Sequence, residues 1–185
     1  MKHIQYIHYK SYGDIFVEHH TNNNKNLLII LPWQTLPASM FFDFPIYEDD
    51  SSIKDELLKN GFDVLFVDPV WYGSSRWMVF PLYTRIHIAE QIEQVIEVYK
   101  NGYKKIFLEA FCSTCHVPML VAERVKIDGI VLLSPVTISM KMCNDITKKY
   151  LQEKKENRNP EFSYMKVQFD EFCVKRLSEI TDALI

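Results

Sequence analysis

Cys112 begins the run Cys-Ser-Thr-Cys-His116 and directly follows the largely apolar stretch Lys105-Ile-Phe-Leu-Glu-Ala-Phe111. A strand that runs straight into a helix, with a reactive side chain on the turn between them, is a nucleophile elbow. In its G-x-S-x-G form the positions two before and two after the nucleophile must be small, because the turn is strained and neighbouring backbone crowds it. Ala110-Phe111-Cys112-Ser113-Thr114 meets that demand loosely, whereas a register on Ser113 would put Phe111 at a tight position, so Cys112 is the candidate nucleophile. A thiol at a helix N-terminus is biased toward thiolate, the form that attacks. His116, one helical turn on, is the second candidate, either perturbing the thiol or packed beneath the elbow with a satisfied ring. Cys112 also reads as a small buried hydrophobe at a strand end.

Three other chemistries fit the same residues. Cys112-Ser-Thr-Cys115 looks like a thioredoxin-type dithiol, in which the first thiol attacks and the second resolves. Against it stand too many strand–helix–strand units upstream and no placeable cis-proline loop. Cys-x-x-Cys-His matches covalent haem attachment, a chemistry of exported chains, yet here it follows a buried-strand pattern. A structural zinc site needs two more ligands, and Cys143 and Cys173 lack the paired spacing that would supply them. No metal and no cofactor is therefore expected. Trp33, Trp71 and Trp77 read either as the lining of an apolar acyl pocket or as core. Asp68 reads as an acceptor for the loop that follows it.

Composition bounds these options. The chain has 185 residues, 48% hydrophobic and 24% charged, enough for one domain with a sizeable core. A net charge of -3 gives no basic field to hold phosphate backbones, so nucleic acid is not an expected partner. The opening Met1-Lys-His-Ile-Gln-Tyr lacks a secretory h-region, and no apolar run approaches the roughly 18 residues of a membrane span. A cytoplasmic location is expected, with the four cysteines as thiols.

The elements that must position Cys112 follow from periodicity. His3 to Lys10 and Asp14 to His20 form an N-terminal hairpin about Ser11-Tyr12-Gly13. Leu27 to Leu31, closed by Pro32, is a strand apolar on both faces and so central in a sheet. Ser52 caps a helix reaching Asn60, and Phe62 to Val67 is the next strand. Ile88, Ile92, Val95, Ile96 and Tyr99 share one face of a helix opened by Thr84. Ile106 to Ala110 is a strand, Ser113 to Arg124 a helix with a first turn distorted by Pro118, and Gly129 to Leu133 a last strand. This alternation predicts an α/β fold with a mostly parallel sheet and helices on both faces. Ligands then bind beyond the strands' carboxyl ends: Pro32-Trp33-Gln34, Asp68 to Ser75, Phe111 to Cys115, and Ser134-Pro135-Val136. Residues 1–141 form the core, and 142–185, charged and then amphipathic, a helical lid or docking segment of the same domain.

Over Leu27 to Val136 the chain resembles the α/β-hydrolase superfamily. Asp68-Pro-Val-Trp-Tyr-Gly-Ser-Ser75 looks like the family's D-x-x-G-x-G-x-S loop, with Trp71 where a glycine is usual, and Asp128-Gly-Ile-Val-Leu-Leu-Ser-Pro135 is similar to its sixth strand. A cysteine nucleophile is similar to that of dienelactone hydrolases and of polyhydroxyalkanoate synthases, whose box is G-x-C-x-G; Leu28 to Trp33 looks like the synthases' oxyanion-side loop. The resemblance implies an oxyanion hole from backbone N–H groups at Ser113 and near Trp33-Gln34, with Trp71 beside the substrate. It implies a thioester or ester hydrolase, a thioesterase, or an acyltransferase acting on a small acyl substrate. In the family an acid and a histidine base follow the nucleophile, and no histidine follows His116. The expectation is therefore a truncated or split member completed by a second polypeptide, or a catalytically silent binding or partner subunit. A thiol–disulfide oxidoreductase is the third alternative.

Overall fold

The computed structural model describes residues 1–33, 36–46, 50–77 and 85–133. The hairpin is present as β1 (Lys2–Tyr9) and β2 (Gly13–His20), antiparallel from Lys2↔His20 to Tyr9↔Gly13. β3 (Asn26–Ile30) is followed by a short 3-10 turn, Ala38–Phe41, and by α1 (Ile53–Lys59). A reciprocal box starts α1: the Asp55 N–H donates to Ser52 Oγ at 3.2 Å, and the Ser52 N–H donates to Asp55 Oδ2 at 2.9 Å, satisfying two of the donors a helix start leaves open. β4 (Phe62–Asp68), β5 (Arg76–Trp77), α2 (Arg85–Tyr99) and β6 (Lys105–Phe111) follow. Then come a 3-10 turn over Cys112–Thr114, α3 (His116–Ala122) and β7 (Gly129–Leu133).

The sheet order is β1-β2-β4-β3-β6-β7, with β5 paired to β2. β3 is parallel to β4 and to β6, and β6 is parallel to β7. β2 is antiparallel to β1, β4 and β5. The sheet is thus mixed, and the parallel character expected of it is confined to β4, β3, β6 and β7. The cause is the hairpin: a tight turn forces β1 and β2 to run antiparallel, and β2 then joins the same sheet alongside β4. β3 lies between β4 and β6, the central place its apolar run demands.

Successive strand side chains point to opposite faces, and two clusters result. Leu27, Ile29 and Leu31, Leu65 and Val67, and Ile106, Leu108 and Ala110 pack with Ile88, Ile92, Val95 and Ile96 of α2 and Val117, Leu120 and Val121 of α3. Leu28, Ile30, Val64 and Phe66 pack with Ala38 and Phe42 and, at the margin, with Ile53, Leu57 and Leu58 of α1. Full burial of one such side chain contributes about 1.5–3 kcal/mol. Pro118 is less disruptive than its place in the sequence suggests. The helix begins only at His116, so Pro118 falls in its first turn, where no intrahelical acceptor awaits its missing N–H. No helix among the described residues is long and apolar enough to cross a membrane. Gln34, Ser134 to Val136, Cys143, Cys173 and the expected segment 142–185 lie outside the described residues.

Candidate active site

Because β3, β4 and β6 are parallel, the segments after them emerge at one edge of the sheet. Cys112 follows β6 there with φ 54, a left-handed conformation that a side-chain-bearing residue seldom adopts. Phe111 before it is extended (φ -116, ψ 136) and Cys115 after it is helical (φ -58, ψ -17), so the reversal from strand to helix is concentrated at Cys112. Holding it there costs on the order of 1–3 kcal/mol, which surrounding contacts must offset. Thr114 supplies some of them: its buried hydroxyl lies 2.9 Å from the Phe111 carbonyl and 3.0 Å from the Pro32 carbonyl, joining the elbow to the loop after β3. The Cys115 N–H donates to the Cys112 carbonyl at 3.3 Å.

The two cysteines are in unlike surroundings. Cys112 is half-buried. Cys115 is buried in the α2–α3 side of the core, with Sγ 3.2 Å from the Ala110 carbonyl. Burial, reinforced by the charge of Glu109, pushes the Cys115 thiol up to about 11.

Asp68, at the end of β4, organises the other two loops. Its Oδ1 accepts from the Ala38 N–H at 2.7 Å and its Oδ2 from the Ser74 N–H at 2.8 Å. Burial raises its pKa, opposed by these two donors and helped by the nearby charge of Glu18. The loop after β4 is further fixed by the Val70 N–H, which donates to the buried Gln91 Oε1 at 2.7 Å. Trp71 has φ 77, so the position where a glycine is usual adopts the conformation that favours glycine. Its side chain is half-buried against the α2–α3 cluster.

On the other sheet face an aromatic group flanks the elbow. The Trp33 ring meets Phe41 at 5.4 Å and Phe111 edge-on at 5.5 Å, and Phe41 stacks on Phe111 at 5.9 Å. Glu109, two residues before Phe111 on the same strand face, is 2% exposed, and neither carboxylate oxygen has a hydrogen-bond partner among the described residues. Burial raises its pKa to about 8. The Trp33 indole N–H is also buried without a partner among the described residues.

Of the residues singled out in the sequence, Cys112 and Ser113 stand on the elbow, with Trp33 across from it. His116 opens α3 and is buried, Trp71 packs toward the core, and Gln34 lies outside the described residues. Glu109, Phe41 and Thr114 were not anticipated. For Glu109 the available signal was a carboxyl inside the apolar run Ile106 to Phe111. Glu18, His20 and Asp43 bring one ligand atom each within 4.8 Å of one another. The Lys2 ammonium, 2.7 Å from Glu18 Oε1, and the Lys54 ammonium on Asp43 already supply positive charge to that cluster.

No family model matches the sequence, and no curated protein matches it either. Solved structures do match its fold. A proline iminopeptidase-related protein from Thermus thermophilus aligns over 87% of this chain and 58% of its own, with TM-score 0.57 and 17% identity. An esterase from Pyrococcus furiosus aligns over 91% and 59%, with TM-score 0.59 and 17% identity. The protein Smu.1393c of Streptococcus mutans aligns over 98% and 69%, with TM-score 0.61 and 11% identity. The fold is α/β-hydrolase-like, and the chain spans 58% and 59% of the length of the first two of these proteins.

Proposed function

We propose that this chain is an acyl-group enzyme, a thioester or ester hydrolase or an acyltransferase, with Cys112 as nucleophile. The observation that carries the proposal is the left-handed turn at Cys112, φ 54, between β6 and α3 on an α/β-hydrolase-like sheet. Such strain at a reactive residue is the mark of an elbow that presents its side chain to a substrate.

In this reading the Cys112 thiolate attacks the carbonyl carbon of a small acyl substrate. A C–S bond forms, and the carbonyl π electrons move onto oxygen, where backbone N–H groups of Ser113 and the Trp33-Gln34 loop receive the charge. Collapse expels the leaving thiolate or alkoxide, which takes a proton, and leaves an acyl-cysteine. Water or an acceptor alcohol then attacks that thioester, loses its proton, and returns Cys112 as thiolate. His116 is the nearest histidine in the sequence to carry protons, and no cofactor is needed. Trp33 borders the acyl group, and residues 142–185 act as lid or docking segment of a cytoplasmic domain.

The second reading, a silent α/β-hydrolase-like partner subunit, draws on β7. Ile130, Val131 and Leu133 are 37–44% exposed on the last described strand of the sheet, an apolar edge suited to a second polypeptide that completes the fold. A dithiol oxidoreductase is disfavoured, because a resolving Cys115 with its thiol raised to about 11 is seldom a thiolate.

The deciding experiment is turnover of short acyl thioesters and esters by the full chain, its Cys112→Ala variant, and a matched Cys115→Ala variant. Loss of at least ~100-fold in Cys112→Ala, with Cys115→Ala retained, supports the enzyme. No turnover by the wild-type chain, or equal turnover by Cys112→Ala, removes it in favour of the partner subunit.

A further inference from the structure

A carboxyl buried without a hydrogen-bond partner costs the fold on the order of 1–3 kcal/mol or more, and native interiors seldom hold one. Among the described residues Glu109 is such a group, at 2% exposure. The alternation along β6 places it with Phe107 and Phe111 on the sheet face opposite Ile106, Leu108 and Ala110. Its parallel neighbours in register, Ile30 on β3 and Val131 on β7, are apolar and offer no side-chain donor. Phe111 is packed on Trp33, whose buried indole N–H also lacks an acceptor among the described residues. An acceptor and a donor, both unpaired among the described residues, thus lie on one side of the sheet near the elbow, the acceptor two residues before Phe111 on its strand face and the donor on the ring packed against Phe111.

We infer that the Glu109 carboxyl and the Trp33 indole N–H are the polar anchors of a ligand subsite beside Cys112. The subsite takes a compact neutral group that both accepts and donates hydrogen bonds, a primary carboxamide, on an apolar body lying against Phe41 and Phe111. A carboxamide oxygen accepts from the indole N–H while its NH2 donates to Glu109, which pairs both orphaned groups at once. An anionic ligand would meet a second acidic group in a desolvated site. A cationic one would leave the indole donor unpaired and facing positive charge. The desolvation that favours the protonated form of Glu109 near neutral pH points the same way. The inference concerns binding and holds whether or not the Cys112 thiol reacts.

The test is hexanamide titrated into the 15N-labelled chain, with the Trp33 indole N–H resonance as readout. The protein has three tryptophans, and the signal is assigned by its loss in Trp33→Phe. Saturable movement of that resonance by hexanamide, but not by equal concentrations of hexanoate or hexylammonium, is the expected result. Glu109→Leu weakens binding by at least about tenfold, the loss of roughly one buried hydrogen bond. Glu109→Gln, which still donates and accepts, stays within about threefold of wild type. The inference is overturned if the resonance does not respond to hexanamide, if the charged analogues bind as tightly, or if Glu109→Leu binds like wild type. Loss of binding in Glu109→Gln overturns it as well, by showing that a carboxylate charge is required. Because turnover is never measured, failure here leaves the acyl-enzyme proposal standing or falling on its own test.

Discussion

The carboxylate of Asp68 occupies the space a side chain on Gly73 would need: a Cβ there would lie 2.1 Å from Asp68 Oδ2 and 2.7 Å from the Pro37 Cα. Gly73 also has φ 45, so a substitution is strained in backbone as well as in space. Gly73→Ala must move Asp68 off the Ala38 and Ser74 N–H groups it accepts from, uncoupling the loops after β3 and β4. We expect a loss of about 2–4 kcal/mol in urea unfolding. A loss under about 0.5 kcal/mol would show that Asp68 does not hold the two loops together.

Ser52 has a smaller and more local effect. Both halves of its box with Asp55 are formed, and α1 contributes Ile53, Leu57 and Leu58 to the second core cluster. Ser52→Ala removes the acceptor of the Asp55 N–H and the hydroxyl that donates to Asp55 Oδ2 at 2.8 Å, and should cost about 1 kcal/mol. Ser52→Thr, which keeps a hydroxyl that both accepts and donates, should recover most of that in the same denaturant series.

Comparison of these two sites shows what can be read along a chain and what cannot. The cap at Ser52 and the strand character of Leu27 to Leu31 are local, written in residue type and period, and the structure has both. The elbow was legible for the same reason, since a strand, a small-residue turn and a helix are contiguous from Lys105 to Ala122. Trp71 was visible only as a bulky residue at a glycine position, and its φ of 77 shows that the backbone kept the turn despite the side chain. The mixed sheet was not legible, because docking of β2 on β4 rests on pairs such as Phe16↔Asp68, far apart in sequence. Glu109 was missed for a related reason. Its strand lies between β3 and β7, with Ile30 and Val131 in register beside it, and neither is adjacent to it in the chain.

The pair of thiols should separate cleanly under alkylation. Cys115 is buried, with Sγ 3.2 Å from the Ala110 carbonyl and its thiol raised to about 11, which leaves about one thiolate in a thousand at pH 8. Cys112 is half-buried at the elbow. A small iodoacetamide probe on the native protein at pH 8, followed by peptide mapping, should modify Cys112 at least ~10-fold faster than Cys115. In denaturant the two rates should converge. Equal native rates would mean that Cys115 leaves the core readily, and would reopen the dithiol alternative.

The buried carboxyl of Glu109 makes stability depend on pH in a direction opposite to that of most paired carboxylates. Its pKa rises from an ordinary 4.5 to about 8 in the fold, through desolvation alone. Between those values the folded state holds a proton that the unfolded chain has released, so the folded state binds more protons and stability falls as pH rises. The contribution is whole below about pH 4.5 and declines by roughly 1.4 kcal/mol per pH unit toward pH 8, where it levels off. Other groups titrate over the same range, so the measurement is a difference: urea unfolding of wild type and Glu109→Gln at matched pH. Glu109→Gln should gain on wild type by several kcal/mol between pH 5 and 8, on the order of the full shift. If the difference between the two proteins is flat across that range, Glu109 is ionised in the fold and has a partner, and its assignment as an unpaired buried acid fails.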